Sequence, residues 1–291
     1  MKELILGIVQ AQPIQGDSEA TLQMMELTIV QYGKEGRNVD VLVFPELFIT
    51  GYLPELWERI PNAQDEEVWL HRLTKAAREA GLWLVFGHPS YRVRPQATPA
   101  PAPENSSEGG LGVLTNAASL VSPGGVIGTY AKMHLFGEEA HTFLAGSEIP
   151  VWDTPWGRVA VQICYDIEFP ETARIAALQG ADVLINISNN MSPFGEYHRL
   201  YTQVRAMENT FFVANVNRVG PEKSIDFCGG SCVAHPDGTW LLEATPEAGV
   251  YVVELDLAQR SQAEPAVQYL KQRRPQAYGL LAQVGGSIKL K

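Results

Sequence analysis

Three polar residues in this chain stand where apolar runs stop, and together their types could run thiol chemistry. Cys164 ends the run in "VQICYDIEFPE", and the chain leaves the core at once through Tyr165, Asp166 and Glu168. Glu46 ends "VLVFPE", and Lys132 follows a hairpin in "GTYAKMHLFGEE". A cysteine nucleophile needs a base to take its proton, and a positive or hydrogen-bonding site for the oxyanion raised on its target. A cysteine, a carboxylate and an ammonium supply these roles, provided that they converge on one rim of a sheet. Taken singly, each also fits an inert role: a core thiol, a loop carboxylate, a surface lysine.

The elements that must bring them together are legible in the hydropathy pattern. "LILGIVQAQ" reads as a strand, and a helix follows from Ser18 with Asp17 or Ser18 as N-cap. "VDVLVFPE" and "LWLVFGHPS" are nearly all apolar, as strands covered on both faces are. Between them, "DEEVWLHRLTKAAREAG" has helical spacing and a closing Gly81. Further on, "NAASLVSPGGVIGTYAK" is a hairpin turned at Pro123, Gly124 and Gly125. Three more buried strands, "GRVAVQIC", "ADVLINIS" and "FFVANVNRVG", alternate with helices in "FPETARIAALQG" and "GEYHRLYTQVRAMENT". "SCVAHPDGTWLLEA" reads as a hairpin and "GVYVVELDL" as a last strand. This order argues for a layered α/β fold with two mixed sheets. Residues 94–110, rich in Pro, Ala and Ser, are expected to form a mobile surface loop inside one domain that spans 1–291. The tail, 260–291, is expected to carry a short helix and then extended basic sequence that packs on a neighbour or stays loose.

Composition excludes several functions. The 291 residues are 45% hydrophobic and 19% charged, enough for a substantial core. Lys plus Arg number 22 against 33 Asp plus Glu, a net charge of −11 that repels phosphate backbones and anionic membranes. No apolar run reaches the ~18 residues of a membrane span. Three cysteines make no disulfide framework, so a cytoplasmic protein is expected. His134, His141, His198 and His235 lack paired metal-ligand spacing, and neither phosphate-binding glycine motif occurs. No metal or other cofactor is expected. Cys164 also lacks the flanking glycines of a nucleophile elbow, which argues against an α/β-hydrolase.

"VFPELFITGY", "YAKMHLFGEEAHTFLAG" and "VQICYDIEFPE", in this order, resemble the glutamate, lysine and cysteine blocks of the nitrilase superfamily of carbon–nitrogen hydrolases. "RAMENTFFVANVNRVG" and "GGSCVAHPDG" resemble later strands of that family, so the likeness spans nearly the whole chain. The resemblance implies a four-layer α-β-β-α sandwich of two mixed β-sheets, commonly paired into a dimer. It implies Cys164 as nucleophile, Glu46 as general base and Lys132 facing the oxyanion beside the Tyr165 N–H. It also implies a second glutamate ahead of Phe143 and Gly146: Glu139, with Glu138 as the alternative one residue away.

Tyr165-Asp166 after the cysteine resembles the amidase branches rather than true nitrilases. "CYDIEFPE" and "QYLKQRRPQAYG" are most like 5-aminopentanamidase and related aliphatic amidases. Glu168 would repel a substrate carboxylate and attract an amine; it would otherwise be a helix-start carboxylate. Tyr52 and Asn190 are further pocket candidates, with packing and turn formation as their structural alternatives. The expected reaction is hydrolysis of a small primary amide, neutral or amine-bearing, to acid and ammonia. An N-carbamoyl amine hydrolase and a catalytically silent binding homologue remain as alternatives.

Overall fold

The computed structural model describes residues 3–33, 36, 39–52, 63–93, 112–262 and 268–282. The first sheet contains β1 (Glu3–Gln10), β2 (Val41–Val43), β3 (Trp83–Val93), β4 (Gly112–Ser122), β5 (Gly125–Ala131) and β14 (Gly249–Asp256), in the order β14-β1-β2-β3-β4-β5. The second contains β6 (Val151–Asp153), β7 (Arg158–Ile163), β8 (Val183–Ser188), β9 (Phe212–Asn217), β12 (Cys232–Ala234) and β13 (Trp240–Glu243), in the order β13-β12-β9-β8-β7-β6. In each sheet three parallel strands, β1-β2-β3 or β7-β8-β9, are flanked by antiparallel ones. A two-stranded ribbon, β10 (Val219–Glu222) and β11 (Ile225–Cys228), stands apart.

Strand alternation builds the layers. Leu4, Leu6 and Ile8 of β1 and Val41 and Val43 of β2 meet Val159, Val161 and Ile163 of β7 and Ile185 and Ile187 of β8 between the sheets. The residues in between turn outward: Val9, Leu42 and Leu84 pack on α1 (Ser18–Tyr32) and α2 (Ala63–Ala80). Ala160, Leu184 and Val213 pack on α4 (Pro170–Leu178) and α5 (Gly195–Asn209). The result is a helix-sheet-sheet-helix sandwich, whose central strands are buried on both faces, as their unbroken apolar runs require. A short helix, α3 (Glu139–Thr142), follows β5.

Local signals explain the element ends. Asp17 caps α1, its carboxylate accepting from Ala20 N at 2.9 Å. Gly81 ends α2 at φ +68°, a left-handed conformation that glycine adopts without strain. In the tail, residues 268–282 form turns and short 3-10 helices at Pro275–Ala277 and Gly279–Ala282, with Pro275 and Gly279 interrupting the apolar spacing. The stretch 94–110 lies outside the described residues. Among the described residues no helix is long and apolar enough to cross a membrane.

Candidate active site

Strand ends carry the polar groups. Glu46 lies three residues past β2, Lys132 directly after β5, Cys164 directly after β7, and Asn189 and Asn190 directly after β8. They gather where the carboxyl ends of strands from both sheets meet, a usual place for a site in open α/β sheets.

Glu46, Lys132 and Glu139 are fully buried and joined by hydrogen bonds. Lys132 Nζ donates to Oε1 of Glu46 and to Oε1 of Glu139, both at 2.7 Å. Asn116 Nδ2 donates to Glu46 Oε1 at 2.7 Å, and Asn189 N to Glu46 Oε2 at 2.8 Å. Asn189 Nδ2 also reaches the Glu46 carbonyl at 2.8 Å, tying the two sheets together at the base of the site. Tyr52 OH donates to Glu139 Oε1 at 2.8 Å, and Phe136 N to its Oε2 at 3.2 Å. Of the two neighbouring glutamates, then, Glu139 faces Lys132; Glu138 is exposed and pairs with His141.

Backbone shape sets Cys164 and Glu46. Cys164 has φ +47° and begins the 3-10 turn Cys164–Glu168, while Leu47 has φ +44°. Non-glycine residues rarely hold such angles unless the surroundings over-determine them. For Cys164 the surroundings are Asp166, which is fully buried. Its Oδ2 accepts from Ile163 N at 3.1 Å and Tyr130 OH at 2.7 Å. Its Oδ1 accepts from His134 N at 2.9 Å and lies 2.8 Å from His134 Nδ1. One carboxylate thereby locks the Cys164 turn to the segment that carries Lys132. Arg205 holds the far end of that turn through Ile167 O and Glu168 O, both at 3.0 Å. For Glu46 the constraint is Gly87: a Cβ there would lie 2.4 Å from Leu47 N and 2.5 Å from Glu46 Cα.

Charge and burial fix the protonation states. Burial alone would lower the Lys132 pKa, but Glu139 and then Glu46 outweigh it, so the ammonium is held charged. Burial raises Glu139, with Lys132 opposing and Glu46 reinforcing, and the net direction is up. Burial and then Glu46 push the Cys164 thiol well above the usual cysteine value against Lys132 and the Asn189 N–H. At rest the sulfur is a thiol. Burial and Glu139 likewise keep Tyr52 a phenol, able to donate.

Cys164 opens into a cavity of about 240 Å³. Tyr52, Tyr165, Glu168 and Asn190 all line it, so the pocket residues expected from sequence stand together. Sequence reasoning had missed Asn189, Asn116, Asp166 and the rest of the wall, including Met191, Phe194 and His198. The asparagines follow or occupy strands and could have been found by asking which polar residues interrupt buried runs. The Glu168 carboxylate lies 3.5 Å from His198 Nε2 rather than against an arginine.

Residues 5–264 match the sequence model described as Carbon-nitrogen hydrolase. The chain belongs to the carbon–nitrogen hydrolase family. This hydrolase is 35% identical to an (R)-stereoselective amidase of Pseudomonas sp. over 243 residues, covering 81% of this chain and 80% of that protein. It is 31% identical to a nitrilase of Pyrococcus abyssi, covering 94% and 98%. The fold of an amidase from Nesterenkonia sp. superposes with a TM-score of 0.80 at 27% identity, covering 96% of both chains. A structure of a glutamate-to-glutamine mutant of the amidase from Nesterenkonia sp. AN1 carries the acetamide moiety of fluoroacetamide, added covalently at the active-site cysteine. The hydrolase is thus an enzyme of the nitrilase superfamily, with the two-sheet sandwich of its amidases.

Proposed function

We propose that the protein hydrolyses a small aliphatic primary amide to a carboxylic acid and ammonia through a thioester on Cys164. The observation that carries this reading is the buried Glu46–Lys132–Glu139 set beside a thiol at the base of a small cavity. The covalent adduct on the cysteine of a mutant of the Nesterenkonia amidase supports the part of this reading that makes Cys164 the nucleophile.

In this mechanism Glu46 takes the proton of Cys164 as sulfur attacks the carbonyl carbon. The C=O electron pair moves to oxygen, where Lys132 Nζ and the Tyr165 N–H hold the oxyanion. The tetrahedral intermediate collapses, the C–N bond breaks, and Glu46 returns its proton to the leaving nitrogen. Water, deprotonated by Glu46, then attacks the thioester; the acid leaves and the thiol regains its proton. Glu139 keeps Lys132 charged and in place throughout.

The wall suggests the substrate class. A cavity near 240 Å³ suits a short acyl chain, and Tyr52, Phe136, Met191 and Phe194 offer it apolar surface. Among the described lining residues there is no lysine or arginine to pair with a substrate carboxylate, while Glu168 is present. We therefore place neutral and amine-bearing amides ahead of ω-carboxy amides. The test is ammonia release from short aliphatic amides, ω-amino amides, ω-carboxy amides, nitriles and carbamoyl amines, run beside Cys164→Ala. Turnover of neutral or ω-amino amides that vanishes in the variant is expected. Preference for ω-carboxy amides would overturn the charge argument, and release of carbon dioxide with ammonia would identify a carbamoyl hydrolase.

We also propose that the protein works as a homodimer in the reducing cytoplasm. Tyr197, Leu200, Val204 and Met207 form a stripe on α5 that is 43–58% exposed, and Cys164, Cys228 and Cys232 are free thiols. Light scattering of the purified protein at the mass of one chain would refute the pairing.

A further inference from the structure

Arg218, directly after β9, is only 1% exposed and is among the largest fully buried side chains. Its Nη1 pairs with Glu222 Oε2 on β10, and Glu222 is itself fully buried. Arg218 Nε and Nη2 and Glu222 Oε1 are buried and have no hydrogen-bond partner among the described residues. Such a half-satisfied buried pair is a poor stabiliser; an apolar pair of the same volume is often as good or better. Its position gives it another use. Glu222 Oε2 lies 3.5 Å from Tyr52 N, and the Arg218 guanidinium stacks 4.0 Å from the centroid of Phe227. Phe227 in turn meets the Tyr52 ring edge-on at 5.9 Å.

Three anchors of Tyr52 lie among the described residues, and Arg218 touches two of them. The third is its hydroxyl, which donates to the Glu139 oxygen that also accepts from Lys132. Tyr52 belongs to the loop after β2, whereas Glu222 and Phe227 belong to the β10-β11 ribbon. The ribbon is thereby coupled through one phenol to the ion pair beneath Cys164.

We infer that the Arg218–Glu222 pair is a positioning device for the reaction: it seats Tyr52 so that its hydroxyl holds Glu139 against Lys132. This rests on the amidase reading of the site. Removing both charges together, in Arg218→Met/Glu222→Met, leaves no bare buried ion and separates positioning from simple charge burial.

The experiment compares four proteins: wild type, the double variant, Tyr52→Phe, and the triple variant. Each is checked for folding by circular dichroism and assayed for kcat and KM on the best amide of the panel. The double variant is expected to lose kcat by roughly tenfold, the worth of one hydrogen bond to a charged group, with KM changed less. Because the effect runs through the Tyr52 hydroxyl, the triple variant should be no slower than Tyr52→Phe. Two single variants are added to these four: Arg218→Lys should recover part of the loss seen in Arg218→Met. Losses that multiply in the triple variant, or a folded double variant with unchanged kcat, would overturn the inference. Should the double variant not fold, Glu222→Met and Phe227→Leu each remove one of the two contacts and enter the same comparison. A second readout keeps the inference apart from the amidase reading: the pH dependence of Cys164 alkylation by iodoacetamide, followed by mass spectrometry. If the wild type turns over no amide, the amidase reading fails. The inference still stands or falls on whether the double variant and Tyr52→Phe shift that alkylation profile alike.

Discussion

Replacing Glu139 by glutamine tests the electrostatics of the site most directly. The substitution keeps the shape and one acceptor for Tyr52 OH and Lys132 Nζ, but removes the carboxylate that contributes most to holding Lys132 charged. Breaking a buried ion pair from one side costs roughly 3–5 kcal/mol. Glu46 still receives Lys132 at 2.7 Å, so the loss belongs at the lower end, about 3 kcal/mol. If the same loss is felt in the transition state, where the proposed mechanism sets Lys132 against the oxyanion, kcat falls roughly 10²-fold. The pH profile carries the sign. The folded pKa of Lys132 is raised, so its contribution to stability is complete below the unfolded lysine value of about 10.4 and is lost as pH rises through the folded value. In Glu139→Gln burial is opposed only by Glu46 and, more weakly, by Cys164, and the folded value drops. Ammonia release between mildly acid and strongly alkaline pH should then show an alkaline decline at lower pH than in the wild type, with thermal stability declining in parallel. A variant with wild-type kcat and an unmoved alkaline limb would refute this account of Lys132.

Further outcomes follow from neighbouring geometry. Gly87→Ala drives a Cβ into the backbone of Glu46 and Leu47, so it should cost roughly 1–3 kcal/mol in denaturant unfolding and reduce kcat by displacing Glu46. Asp166→Asn must aim its NH2 at the N–H of either Ile163 or His134; about 1–3 kcal/mol of stability should be lost, along with the orientation of Cys164. The Cys164 thiol is pushed up by burial and Glu46, so its alkylation by iodoacetamide should accelerate as pH rises past neutrality instead of levelling off there. Glu168→Gln should weaken kcat/KM for an ω-amino amide several-fold and leave a neutral amide of equal length within about twofold.

The sandwich was readable because each buried strand is a compact apolar run, and its alternation assigns one face to the partner sheet and one to the helices. Glu46, Lys132 and Cys164 were readable as interruptions at the ends of those runs. What spacing could not supply was their meeting: Lys132 and Glu46 touch across 86 residues of chain, and Asn189 and Glu46 across 143. The ribbon β10-β11 escaped notice because "RVGPEKSIDFC" contains no sustained alternation, so nothing in the sequence singled out Glu222 or paired it with Arg218. Tyr52 was readable only as an aromatic after a glycine, for its partner Glu139 lies 87 residues away. Asp166 sits two residues from Cys164, yet nothing local distinguishes a carboxylate that clamps a turn from one that faces solvent.

The cluster around Lys132 draws on both sheets: Glu46, Asn116 and Lys132 hang from the first, Cys164 and Asn189 from the second. No fragment confined to one sheet could hold both the Cys164 thiol and the Glu46 carboxylate, so under the proposed mechanism turnover reports on the docking of two half-structures as well as on chemistry. Under mild denaturant a small slip between the sheets would separate thiol from carboxylate while every strand and helix persisted, and catalysis would fade before helicity. Activity is then a sensitive gauge of the seam itself, and mutations far from the cavity that loosen Leu6, Val161 or Ile185 would register first as lost rate.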